Sequence, residues 1–100
     1  MSISFKEELE NKYRTALNEQ IRAEAEPLFE KIKKACIKAA ENARASLDFE
    51  LKDVDSSIVS MVGRSLEVKI SRELGLTAKF IVDSDFHDTL YIIRINGWTR

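Results

Sequence analysis

Ser46-Leu47-Asp48-Phe49-Glu50-Leu51-Lys52 alternates apolar with polar or charged residues. A period of two sends successive side chains to opposite sides of an extended chain. The spacing therefore predicts a strand with Leu47, Phe49 and Leu51 turned to a core, and Asp48, Glu50 and Lys52 turned away. Leu has only modest β-propensity, so the pattern rather than the residue type decides the reading. It divides the chain into a helical part, residues 4–45, and a β–α–β–β unit, residues 46–98.

Upstream of this stretch the spacing is helical. Apolar residues recur at Phe5, Leu9, Tyr13, Leu17, Ile21, Ala25, Leu28, Ile32, Ala35, Ala39 and Ala43. Steps of three and four mark one helical face. Ser4 is an N-cap candidate, and Glu7 three positions on completes a capping box. Glu8 suits the positive end of the helix. Pro27 breaks the pattern, because an interior proline loses a hydrogen bond and costs about 3 kcal/mol. No turn residue precedes it, so one kinked continuous helix is expected, with two helices in a shallow hairpin as the alternative. Alanines at 35, 39, 40, 43 and 45 allow close approach to a neighbour.

Downstream, Asp55 or Ser56 can cap a second helix whose face reads Val59, Val62, Leu66, Ile70 and Leu74. Gly75 stands where a left-handed C-cap belongs. Gly63, inside that helix, costs about 1 kcal/mol against alanine, and close packing on the long helix is its expected reason. Residues 77–82 and 89–96 read as strands joined by a hairpin loop at 83–88. A β–α–β crossover makes the first two strands parallel, and the third fits between them. The expected fold is α+β in a single domain over residues 1–100. A long helix kinked at Pro27 precedes a three-stranded mixed sheet of order 1-3-2.

Composition bounds the function. With 44% hydrophobic and 33% charged residues the chain can build a core and a solvated exterior, and 100 residues bury roughly 65% of their unfolded surface. A net charge of −1 removes the global argument for a nucleic-acid binder and for an acidic DNA mimic. Cys36 is the single cysteine, so no intramolecular disulfide forms and a reducing compartment fits. Residues 1–8 read as neither a signal peptide nor an anchor, no apolar run exceeds four residues, and the expected location is the cytoplasm.

Four clusters invite a chemical reading. Asp83, Asp85, His87 and Asp88 place oxygen and nitrogen donors in one loop, but Asp88 and Arg94 stand where a calcium loop needs Gly and Glu. A solvated hairpin turn is expected there, with no metal and no cofactor. Cys36 lies among Lys33, Lys34 and Lys38, which lower a thiol pKa, yet no oxyanion-hole glycines accompany it. A buried inert thiol is expected. Lys31, Lys34 and Lys38, with Arg44 beyond, are the candidate contacts for an anion or nucleic acid. Residues 28–46 hold five positive and two negative charges, against four and six in residues 1–26. Tyr91, Ile93 and Ile95, if they form the open face of the sheet, make an apolar interface with Trp98 as its anchor.

The run from Ala45-Ser46-Leu47-Asp48-Phe49-Glu50-Leu51 through Gly75-Leu76-Thr77-Ala78-Lys79-Phe80-Ile81-Val82 to Leu90-Tyr91-Ile92-Ile93-Arg94-Ile95-Asn96-Gly97-Trp98 resembles, in layout, short accessory proteins of tailed phages. Those place a charged helix before a strand–helix–hairpin unit. The resemblance implies homo-oligomers that inhibit or redirect a host factor, or sequester a small signalling molecule. The expected function is a non-enzymatic interaction protein, self-associating as a dimer and binding a protein partner or small ligand. The alternative is a nucleic-acid-associated protein using the basic helix face.

Overall fold

The computed structural model describes residues 4–85 and 88–99. Its elements are α1 (Phe5–Glu41), β1 (Ser46–Glu50), α2 (Val59–Lys69), β2 (Thr77–Ser84) and β3 (Thr89–Asn96), with a π-helical turn (Ile70–Leu74) extending α2.

The start of α1 is as the sequence predicts: the Ser4 hydroxyl accepts the Glu7 N–H at 3.2 Å. Pro27 lies inside an unbroken helix of 37 residues, which spans about 55 Å at 1.5 Å per residue. It accounts for the 59 Å long dimension of the molecule. The helix stops at Glu41, short of the expected residue 45. Ala43 is left-handed, with φ 58°. Arg44 N–H donates to Ala39 O and Ala43 N–H to Ala40 O, at 2.9 and 3.0 Å. This is the closure normally built on glycine. An alanine at that position carries no sequence signal for a helix end.

The sheet order is β1-β3-β2, and both hydrogen-bonded pairs are antiparallel, leaving β1 and β2 parallel across β3. Register places Phe49, Ile93 and Phe80 in one row and Leu47, Ile95 and Ala78 in the next. These side chains share one face. Asp48, Arg94 and Lys79, and then Glu50, Ile92 and Ile81, form rows on the other face.

Both helices pack on the first face. Leu28, Phe29, Ile32 and Cys36 of α1 meet Val59, Val62 and Leu66 of α2 over Ile93 and Ile95. Burying each large aliphatic side chain stabilises by about 1.5–3 kcal/mol. The expectation that Tyr91, Ile93 and Ile95 form an open face is therefore corrected. Ile93 and Ile95 are fully buried and Tyr91 is half-buried. They lie in phase with Leu47 and Phe49, and that combined apolar face is the one the helices cover. Gly63 is corrected too: its close neighbour is the sheet, where a Cβ would fall 2.3 Å from Phe80 Cδ1. Gly75 is left-handed at φ 66°, as a C-cap requires.

Candidate functional site

Three surfaces stand out on the folded chain. The first is the N-terminal half of α1. Phe5, Leu9 and Tyr13 are 72%, 52% and 68% exposed, while Leu17 and Ile21 pack partly on the core. Ion pairs Lys6–Glu10 (3.9 Å) and Glu8–Lys12 (3.4 Å) lie one on each side of that apolar stripe. The side chains of residues 5–16 are all exposed, so this stretch is a projecting arm. Helical periodicity alone does not separate this stretch from the core-facing half of the same helix.

The second surface is a groove between α1 and β1. One hollow of about 430 Å³ is lined by Leu28 and Phe49 with the charged Lys31, Asp48, Glu50, Lys52 and Asp53. The next, about 300 Å³, is lined by Ala35, Lys38, Arg44 and Leu47 among others. Of the predicted basic contacts, Lys31, Lys38 and Arg44 are thus brought together, whereas Lys34 is exposed and lines neither hollow. Neighbouring Lys33 is engaged elsewhere, 3.0 Å from Glu30 and 5.3 Å from the Phe29 ring centroid. Acidic groups on β1 are already matched. The Arg94 Nε donates to Asp48 at 2.9 Å, and Lys52 reaches Glu50 at 3.3 Å. The Arg94 guanidinium holds the Asp48 carboxyl below its ordinary range.

The third is the open sheet face, where Ile81 and Ile92 are half-buried by their neighbours and Leu90 is 40% exposed. Charges of Lys79, Arg94, Asp48 and Glu50 surround them, so its apolar area is small.

The remaining predicted positions are structural. Trp98 is half-buried against the core, and its indole N–H donates to Arg44 O at 2.8 Å, tying the last strand to the end of α1. It is an inward anchor and not an exposed one. Cys36 is buried, and burial pushes its thiol up, the opposite of an activated nucleophile. In the hairpin, Asp85 N–H donates to Asp88 O and Asp88 N–H to the Asp85 carboxylate, at 2.9 and 3.0 Å. That closes a turn; His87 lies outside the described residues. Among the described residues no cluster of three His, Cys, Asp or Glu could hold a metal ion, and no helix is long and apolar enough to cross a membrane.

One contact carried no sequence signal. Glu67 of α2 reaches the outer edge of β2, where its Oε2 accepts the Phe80 N–H at 2.7 Å. Comparison with protein-family models, curated proteins and solved structures gave no match. Function therefore has to be argued from geometry.

Proposed function

We propose that this is a non-catalytic interaction protein that assembles with a second copy through the projecting half of α1. The exposed stripe of Phe5, Leu9 and Tyr13 carries the reading. Isolated helices of 12–15 residues are marginal in water, and helical stability comes mostly from packing an apolar face. Contiguous exposed apolar surface marks an interaction site. A two-fold dimer is the simplest closed assembly for such a surface. The layout shared with phage accessory proteins agrees with self-association and with a further protein partner or small ligand. A cytoplasmic location suits the single buried thiol.

Light scattering tests it. The expected mass is twice the 11.5 kDa of the chain at micromolar concentration. Leu9→Glu with Tyr13→Glu should return a monomer that melts as the native chain does at dilutions where it too is monomeric. A native chain that stays monomeric up to ~100 μM, where association would supply only about 5.5 kcal/mol, sinks the proposal.

A second reading, nucleic-acid association, draws on exposed Lys31, Lys34, Lys38 and Arg44, none of which has an ion-pair partner among the described residues. It requires binding to an oligonucleotide that weakens with salt, at a log–log slope of about −0.7 to −0.9 per phosphate contacted.

A further inference from the structure

The sheet has two lateral edges, and the fold treats them differently. An unpaired edge offers a row of N–H and C=O groups to any passing strand, and natural proteins commonly guard it with an inward-pointing charge. β2 is guarded in this way. Its outward Phe80 N–H is taken by the half-buried Glu67 carboxylate, which occupies the place of an incoming strand.

β1 has no such guard. Leu51 N–H donates to Tyr91 O at 2.8 Å, so residues 47, 49 and 51 direct their backbone groups inward to β3. The alternation of an antiparallel ladder then turns the backbone groups of Ser46, Asp48 and Glu50 outward. Among the described residues no backbone group outside the ladder reaches them. Along this edge runs the groove, lined by Lys31, Lys38 and Arg44 and also by Asp48, Glu50 and Asp53. The acids of β1 are matched by Arg94 and Lys52, while these three cations have no ion-pair partner among the described residues.

We propose that the β1 edge accepts, by strand addition, an extended protein segment with acidic side chains at every second position. Main-chain hydrogen bonds to Ser46, Asp48 and Glu50 would hold it, and alternate side chains would turn into the groove. The five residues of β1 set its length at about five to seven. Against these three cations stands one acid of the lining without an ion-pair partner among the described residues, Asp53, so a cationic excess remains and its complement is acidic. A second copy of this edge is a poor occupant. The antiparallel register that uses all three outward positions sets Asp48 against its own copy, and directly opposed like charges destabilise. This inference is independent of the arm.

The test uses the full chain and a fluorescein-labelled peptide, Thr-Glu-Thr-Glu-Thr-Glu-Thr, followed by anisotropy and by amide chemical shifts. Saturable binding is expected, with shifts concentrated in residues 44–52. Glu→Gln throughout the peptide, or Lys31→Glu with Lys38→Glu in the protein, should weaken it at least about tenfold, the scale of one lost charge-assisted contact. A peptide N-methylated at alternate residues, so that one backbone edge cannot donate, should lose binding in the same measure. Undiminished binding of that N-methylated peptide means charge attraction without strand addition, and overturns the proposal. So do shifts that map to the arm or the open sheet face. Tighter binding of an oligothymidylate to the same lysines assigns the groove to nucleic acid and also overturns it.

Discussion

The two halves of α1 belong to one unbroken helix, yet residues 25–39 form the floor of the core and residues 5–16 touch almost nothing else. Residues 4–16 are exposed on every side, and the step between apolar residues differs between the halves as well. Phe5, Leu9, Tyr13, Leu17 and Ile21 are spaced strictly by four. Four residues turn an α-helix by about 400°, so each step drifts about 40°, and Phe5 ends about 160° away from Ile21. Ala25, Leu28, Ile32, Cys36 and Ala39 mix threes with fours, which holds them to one side. Ile21 and Leu17 are half-buried, and Tyr13, Leu9 and Phe5 are exposed. An unbroken run of fours is a stripe that winds off the face it started on.

The sharpest way to break this comparison is to truncate one apolar residue in each half. Ile32 is fully buried, and Ile32→Ala should cost about 2–5 kcal/mol. Leu9→Ala, in dilute solution where the chain is monomeric, should cost under about 0.5 kcal/mol. Urea denaturation of both variants measures it, and comparable losses would mean that the arm folds as part of the core.

A milder disturbance sharpens it from the other side of the core. Gly63→Ala gains about 1 kcal/mol of helix propensity. It also drives a methyl into the Phe80 ring, at 2.3 Å from Cδ1. Overpacking of this kind costs about 1–3 kcal/mol, so a net loss of stability is expected. The melting curve should shift while the helical signal of the arm is kept. A stabilised variant would show that the ring swings aside freely and that α2 does not press on the sheet.

Element order, strand order and the Ser4 cap were readable from the chain because each rests on a local rule. The period of two at Leu47, Phe49 and Leu51 and the Ser4 cap act over a few residues, and the crossover over one β–α–β unit. What failed needed relations between elements. Local pattern offers Tyr91, Ile93 and Ile95 as an interface on an open sheet face, although order 1-3-2 with β3 antiparallel sets Ile93 opposite Phe49 and Ile95 opposite Leu47. Register alone would have put them inside. Trp98 was read as an exposed anchor because nothing local announces a bond to a carbonyl 54 positions away. The groove was half-found: Lys31, Lys38 and Arg44 were singled out, but β1, which forms its other wall, was not.

A gain of stability is expected at the far end of the buried half. Ala43 occupies the left-handed position of the closure after α1, where a side chain costs roughly 1–2 kcal/mol. Glycine recovers that strain but loses more entropy on folding, so Ala43→Gly should stabilise by a net of about 0.5 kcal/mol. A loss on thermal denaturation would show that the turn tolerates the methyl without strain.

The smallest global effect is expected at Ser4. Its hydroxyl accepts the Glu7 N–H, and replacing such a cap by alanine ordinarily costs about 1 kcal/mol. In a helix packed along its whole length that cost appears in global unfolding. Here the first turns of α1 contact no other element, so they open and close without the core. Ser4→Ala should therefore leave the global unfolding free energy within about 0.3 kcal/mol of the original chain. The loss should surface locally, with amide exchange at residues 7–12 about fivefold faster, the equivalent of 1 kcal/mol. Amides from residues 25–39 should keep their protection. Hydrogen exchange and denaturant titration on the same dilute samples separate the two outcomes. A full 1 kcal/mol global loss, with exchange quickened equally along all of α1, would mean that arm and core unfold as one unit, and the arm would then need no second copy to hold it.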